Sequence, residues 1–201
     1  MSSAYWQYRI YKFYVSVALV AVVLSVPVAF ALPVEFSFEN GLIENAQVVT
    51  LLGAAIVMLS VRAKNPQMAW LQRFFAAGLV LMALRELSWG RVFFPVGMED
   101  FGAVFVDMAH YKYRVPVHIF IVVYSAAMLF MLIRFVPVRK ILSGRQPFAA
   151  FAVLLLAMSF SYVGDHGWLI GKACGQILEE LNELIFYATL PAVNLYYQGV
   201  S

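Results

Sequence analysis

The side chains in this chain that could ligate a metal or move a proton are 11 carboxylates, three histidines and one cysteine. Several carboxylates fall inside apolar stretches rather than in loops. Glu86 follows Arg85 at the end of one stretch, Glu44 opens another, and Glu179, Glu180 and Glu183 lie within the last. His118 begins a further stretch, and Asp165-His166 closes the one after it. Carboxylates and imidazoles suit zinc, manganese or iron. Glu44, Glu86, His118, Asp165, His166, Glu180 and Glu183 therefore form a candidate ligand set for a divalent metal, zinc or manganese. A water bound to such a metal would be a nucleophile near neutral pH, which opens metal-assisted lipid hydrolysis as a reaction. No H-E-x-x-H or E-x-x-H spacing occurs, so the set would have to be assembled between helices. The lone Cys174 excludes an internal disulfide and a cysteine-cluster metal site.

The elements that must position these groups are set by composition. Of 201 residues 63% are apolar and 12% charged, with a mean hydropathy of +0.81. Soluble domains are about 45–50% apolar and about 25% charged, so a soluble enzyme, a disordered chain and a disulfide scaffold are excluded. Apolar runs and breakers predict an all-α integral membrane bundle of six transmembrane helices in a single domain, residues 1–201. The spans are roughly 13–33, 44–61, 68–88, 116–136, 147–164 and 174–197. Ala29-Phe30-Ala31 resembles a signal cleavage site, but the run from Phe13 to Leu32 is longer than a signal's apolar region, so it reads as a retained first span. Between spans three and four, Phe101, Val104, Phe105 and Met108 share one helical face, and Asp107, His110 and Arg114 share another. That spacing predicts an amphipathic helix lying in the outer interface.

Basic residues set the orientation. With both termini cytoplasmic, Arg9, Lys12, Arg62, Lys64, Arg73, Arg134, Arg139, Lys140 and Arg145 lie inside, nine of the 14. Arg85, Arg91, Lys112, Arg114 and Lys172 lie outside, and the positive-inside rule favours this arrangement. Every carboxylate and every histidine then maps to the outer side, giving +9 inside and −6 outside for the stated net +3. Acids contribute little to insertion, so their sorting needs another cause. The sixth span is uninterruptedly apolar only from Leu184 to Val193, and must include Glu179, Glu180 and Glu183 to cross. Gln176, Glu180, Glu183 and Tyr187 align on one face, which has to point into the bundle because a carboxylate facing lipid is costly.

Three readings of the outer polar cluster stay open. Carboxylates could pair with Arg85, Arg91, Arg114 and Lys172 and tie helix ends together. They could ligate a metal. They could serve proton or cation transport, which needs polar steps through the whole membrane, yet the inner halves hold no carboxylate and no histidine. A rhomboid-type protease would need G-x-S-G, which is absent, so Ser159 and Ser161 read as packing hydroxyls. No glycine-rich phosphate loop occurs. His118 and His166 could in principle both reach a haem. The pI near 9.0 reflects membrane orientation rather than nucleic-acid binding.

Glu86-Leu87-Ser88-Trp89-Gly90-Arg91 resembles an E-x-S-W-G-Q/R stretch that closes a transmembrane helix in a family of uncharacterised multi-pass bacterial membrane proteins. Glu39-Asn40-Gly41-Leu42-Ile43-Glu44 and the Glu179-Glu180-x-x-Glu183 cluster look similar to other segments of that family. The resemblance implies no reaction. A fainter likeness, through Glu39-Asn40 and Ile43-Glu44-Asn45, is to alkaline-ceramidase-like membrane hydrolases, which hold zinc inside a seven-helix bundle. No ligand carries over, because this chain lacks their paired H-x-x-x-H.

These readings converge on a bacterial inner-membrane protein in contact with membrane lipids. Its periplasm-facing cavity would bind a divalent cation or a polar headgroup, with Glu86 and Glu183 as its central residues. The alternative is a non-catalytic accessory or assembly subunit of a larger membrane complex, in which other membrane subunits cover the polar cluster.

Overall fold

The computed structural model describes residues 3–60, 63, 66–99, 102–168 and 170–200. The chain is mostly helical: α1 Ser3–Ala31, α2 Leu42–Ser60, α3 Pro66–Glu86, α4 Arg114–Arg134, the short α5 Val138–Ser143, α6 Phe148–Asp165 and α7 Lys172–Val200. Four of the expected spans begin and end within two residues of α2, α3, α4 and α6. The first helix starts ten residues before the expected Phe13, because Ser3 to Lys12 holds no helix breaker. α1, α2, α3, α4 and α6 are long and apolar enough to cross a membrane. α7 is as long as α1, but its half-buried Glu179, Glu180 and Glu183 keep it out of that apolar group.

Each helix end has a local cause. α2 begins after Gly41, where the Asn45 amide donates to the carbonyls of Asn40 (2.9 Å) and Gly41 (2.7 Å), while the Glu44 carboxylate accepts the Asn40 N–H. The Glu44 bond meets an N–H that a helix start leaves without a partner. α3 ends because Ser88, Trp89 and Gly90 all turn left-handed, at φ 45°, 57° and 89°. The chain there forms a tight 3-10 turn over Ser88–Phe93. α6 ends at Gly167, φ 61°, whose N–H reaches the Gly164 carbonyl at 2.8 Å, a left-handed helix stop.

The connection between α3 and α4 departs from expectation. Strands β1 Pro95–Glu99 and β2 Gly102–Phe105 pair antiparallel, and Asp107 to Tyr113 is a run of turns, so no interfacial helix forms. Pro95, Gly97 and Gly102 are poor helix formers. The Asp107 carboxylate accepts the Ala109 N–H at 2.8 Å, a side-chain turn that competes with a helix. Phe101 and Asp100 lie outside the described residues, as do Arg62 and Lys64.

α7 is the centre of the bundle, packed against α1, α2, α3 and α6. Small residues let it sit there. Ala192 and Thr189 are fully buried, and Gly164 of α6 faces Gly175 of α7 so closely that a Cβ on Gly175 would stand 2.5 Å from the Gly164 carbonyl. One core joins α1, α6 and α7 through Val22, Ala157 and Ala192. A second joins α2, α3 and α7 through Leu51, Leu79 and Tyr187. α4 rests on α3 alone among the helices it packs with appreciably, and none of its residues is buried.

Candidate functional site

One end of the bundle gathers the C-termini of α1, α3 and α6 and the N-termini of α2, α4 and α7. Glu86, the last residue of α3, turns toward α7 and is 7% exposed. It accepts a hydrogen bond from the Tyr187 hydroxyl at 2.7 Å. The Arg85 side chain curls back so that its Nε lies 3.3 Å from Glu86, and its far nitrogen lies 3.6 Å from Glu183. Tyr187 also stands 3.5 Å from Glu183, one turn earlier on α7. A guanidinium and a phenol thus hold two carboxylates from different helices together.

Around this knot the other acids follow from the faces of their helices. Glu180 is held by fully buried Gln47 of α2, whose amide donates to the Glu180 carboxylate at 2.8 Å and to its backbone carbonyl at 3.0 Å. Glu44 lies within electrostatic range of Glu39, Glu86 and Glu183, besides capping α2. Glu179 neighbours Asp165 and Glu183. Ser88 donates to Glu39 at 3.2 Å, fastening the α3 turn to the α1–α2 connection.

An open cavity of about 420 Å³ lies on α7 between α3 and α6. Arg85, Asp165, Glu179, Asn182, Glu183 and Tyr187 supply its polar wall, and Met82, Met158 and Phe186 an apolar one. Asn182 is fully buried; it donates to Ser25 of α1 at 2.9 Å and to the Leu178 carbonyl, while its own carbonyl oxygen has no donor. Ser161 opens into the cavity, whereas Ser159 donates to the Leu155 carbonyl as a packing hydroxyl does.

Of the seven residues expected to act together, Glu44, Glu86, Glu180 and Glu183 form one cluster. Asp165 reaches the cavity rim but is 60% exposed. His166 lies between Tyr162 and Trp168 at ring distances of 4.3 and 4.8 Å, with its ring tilted to both and Asp165 3.4 Å away. His118 is exposed on α4. Among the described residues no three His, Cys, Asp or Glu side chains group as metal ligands do. Arg91, the last residue of the E-x-S-W-G-R stretch, donates to the carbonyls of Ser88 (3.3 Å) and Val106 (3.2 Å) and so pins the turn to the hairpin.

Gln47 and Asn182 escape a reading of charges, since they carry none. Gln47 could have been found from its place three residues after Glu44, on the same face of α2. The chain matches no protein-family model, no curated protein and no solved structure.

Proposed function

We propose that the chain is a six-span protein of a bacterial inner membrane, both termini cytoplasmic, whose outer cavity binds a cation. The spans are α1, α2, α3, α4, α6 and the acid-bearing α7. Side chains such as Ile133 (75% exposed) and Val122 (67%) support the membrane assignment, since apolar surface of this extent is unsuited to water. Glu180 turns toward Gln47 of α2 and Glu183 toward Arg85 of α3, away from lipid.

One observation carries the ligand class. Asp165, Glu179 and Glu183 line the cavity, Glu86, Glu180 and Glu44 stand behind it, and Arg85 is the one basic side chain among the described lining residues. Such a surplus of partly buried carboxylates has to be met by protons or by a cation. A divalent metal ion and the ammonium of a lipid headgroup share the required chemistry, and the apolar wall of Met82, Met158 and Phe186 suits an acyl chain beside the latter. Titration of the detergent-purified protein with Mn²⁺ should give saturable binding that Glu183→Gln abolishes. Nanodiscs of ethanolamine lipid against glycerol lipid test the headgroup. Wild-type protein that binds neither Mn²⁺ nor the ethanolamine lipid overturns the reading.

A second reading, an accessory subunit, is favoured by α4, which has no buried residue and packs on one side only. A partner of constant stoichiometry in mild detergent, lost on Val122→Arg, supports it.

A further inference from the structure

The polar face of α7 continues beyond the outer cluster. At 3.6 residues per turn, Gln176, Glu180, Glu183, Tyr187, Asn194 and Gln198 fall within an arc of about 60° and span about 33 Å. That length matches a bilayer's hydrocarbon core of ~30 Å. The outer half of the stripe is the cluster of Glu180, Glu183 and Tyr187. The inner half borders a second cavity of about 350 Å³, formed by α1, α2, α3 and α7.

The inner cavity is lined by Gln7, Thr50, Gln72, Asn194 and Gln198, with no charged side chain among its described lining residues. Gln198 donates to Gln72 at 3.3 Å and to the Met68 carbonyl at 3.4 Å. The carbonyl oxygens of Gln7 and of Asn194, itself 5% exposed, are buried and receive no donor. So is the carbonyl oxygen of Gln47, one turn outward of Thr50 on α2. Buried acceptors left without donors are costly unless water or a cation meets them.

On α7 the lining of the outer cavity ends at Tyr187 and that of the inner one begins at Ala188, with the apolar core of Leu51, Leu79 and Ala83 packed around Tyr187 between them. Tyr187 borders the outer one, and Ala188 and Pro191 border the inner one. Pro191 has no N–H, so the Tyr187 carbonyl lacks its helical donor. The boundary therefore holds a carbonyl without its i+4 donor, so the order from outside to inside is carboxylates, the apolar collar around Tyr187, then carboxamide carbonyls. Inward of Arg85 no fixed positive charge lines the cavities among the described residues. This series of acceptors suits a cation and rejects an anion.

We propose that the polar stripe of α7 is a path that carries a small inorganic cation, a proton or a metal ion, from the outer carboxylate cavity to the inner carboxamide cavity. The proposal rests on the cation-binding reading above. The full chain, reconstituted in liposomes, would be given a Mn²⁺ gradient with a quenchable dye inside, and separately a proton gradient with a pH dye. Wild type and Glu35→Gln, at an exposed turn residue, should pass at least one of the two ions above protein-free vesicles. Asn194→Leu should lose that flux yet keep Mn²⁺ binding in detergent, and Gln7→Leu provides the same test from another helix. Glu183→Gln should lose both binding and flux. Wild-type flux at the protein-free level, with Mn²⁺ still bound in detergent, overturns the path and leaves the binding site standing. Loss of binding as well overturns both. Undiminished flux in folded Asn194→Leu and Gln7→Leu also overturns the path.

Discussion

Tyr187 and Glu86 bring the acid cluster to a single hydrogen bond. The phenol donates at 2.7 Å to a carboxylate that is 7% exposed, in a place where little water can substitute. Removing a donor from a buried acceptor costs about 1–3 kcal/mol, and more for a charged one. Tyr187→Phe should therefore destabilise the protein by about 2 kcal/mol in denaturant unfolding in detergent. Glu86→Gln in the Tyr187→Phe background should recover part of that loss, because a neutral amide needs less compensation. Equal stability of Tyr187→Phe and wild type would show that the bond contributes nothing. Glu86 and Glu183 were legible in the sequence because a charge at that depth of an apolar run has to be met by something. Gln47, Asn182 and Asn194 were not, because a reading of charges passes over carboxamides, which carry none. His118 lies on α4 and is exposed, away from the four clustered glutamates. Most of α4 is apolar, and it meets α3 through the Tyr124 hydroxyl, which donates to the Ala77 carbonyl at 2.9 Å.

At the scale of elements, α6 and α7 approach each other closely at Gly164 and Gly175. A Cβ on Gly164 would stand 2.6 Å from the Gly175 carbonyl and 2.7 Å from the Glu179 nitrogen, so the two helices would have to part. Gly164→Ala should cost about 1–3 kcal/mol, as overpacking does. Gly53→Ala on α2, where a Cβ meets nothing within 4 Å, should gain up to about 1 kcal/mol from helix propensity alone. Unfolding midpoints of the two variants should move in opposite directions, and a shared direction would refute the packing argument. Because Glu179 and Asp165 lie on the same two helices, Gly164→Ala should also weaken Mn²⁺ binding at the outer cavity. Helix positions were readable since hydropathy and proline mark them directly. The hairpin was not: Val104, Phe105 and Met108 fit a helical face by spacing, yet pairing of Pro95–Glu99 with Gly102–Phe105 meets backbone groups that glycine-rich sequence leaves weakly committed to a helix. Phe105 is buried either way, so apolar spacing alone could not decide.

Across the whole molecule, the up-and-down course of the helices puts the described acids at one end and most of the described bases at the other. Glu39, Glu44, Glu86, Asp107, Asp165 and Glu179 share the end that carries the hairpin, while Arg73, Arg134, Arg139, Lys140 and Arg145 share the end that carries α5. The basic end is also ringed by aromatic side chains under cations, with Arg73 4.7 Å above the Trp70 ring and Trp70 stacked on Phe135 at 4.3 Å. Rings and cations in that arrangement suit the headgroup level of a membrane. If the basic end faces the cytoplasm, the acid end meets the periplasm, where its charge of −6 would draw cations toward the cavity mouth. Single-cysteine variants in a Cys174→Ser background can read this directly in intact cells. Met98, 78% exposed on the hairpin, and Ser143, exposed beside α5, report the two ends without removing a charge. A membrane-impermeant maleimide should label Met98→Cys in intact cells and label Ser143→Cys only after permeabilisation. The inverse pattern would place the acid cavity in the cytoplasm, and a cation drawn into it would then be leaving the cell rather than entering.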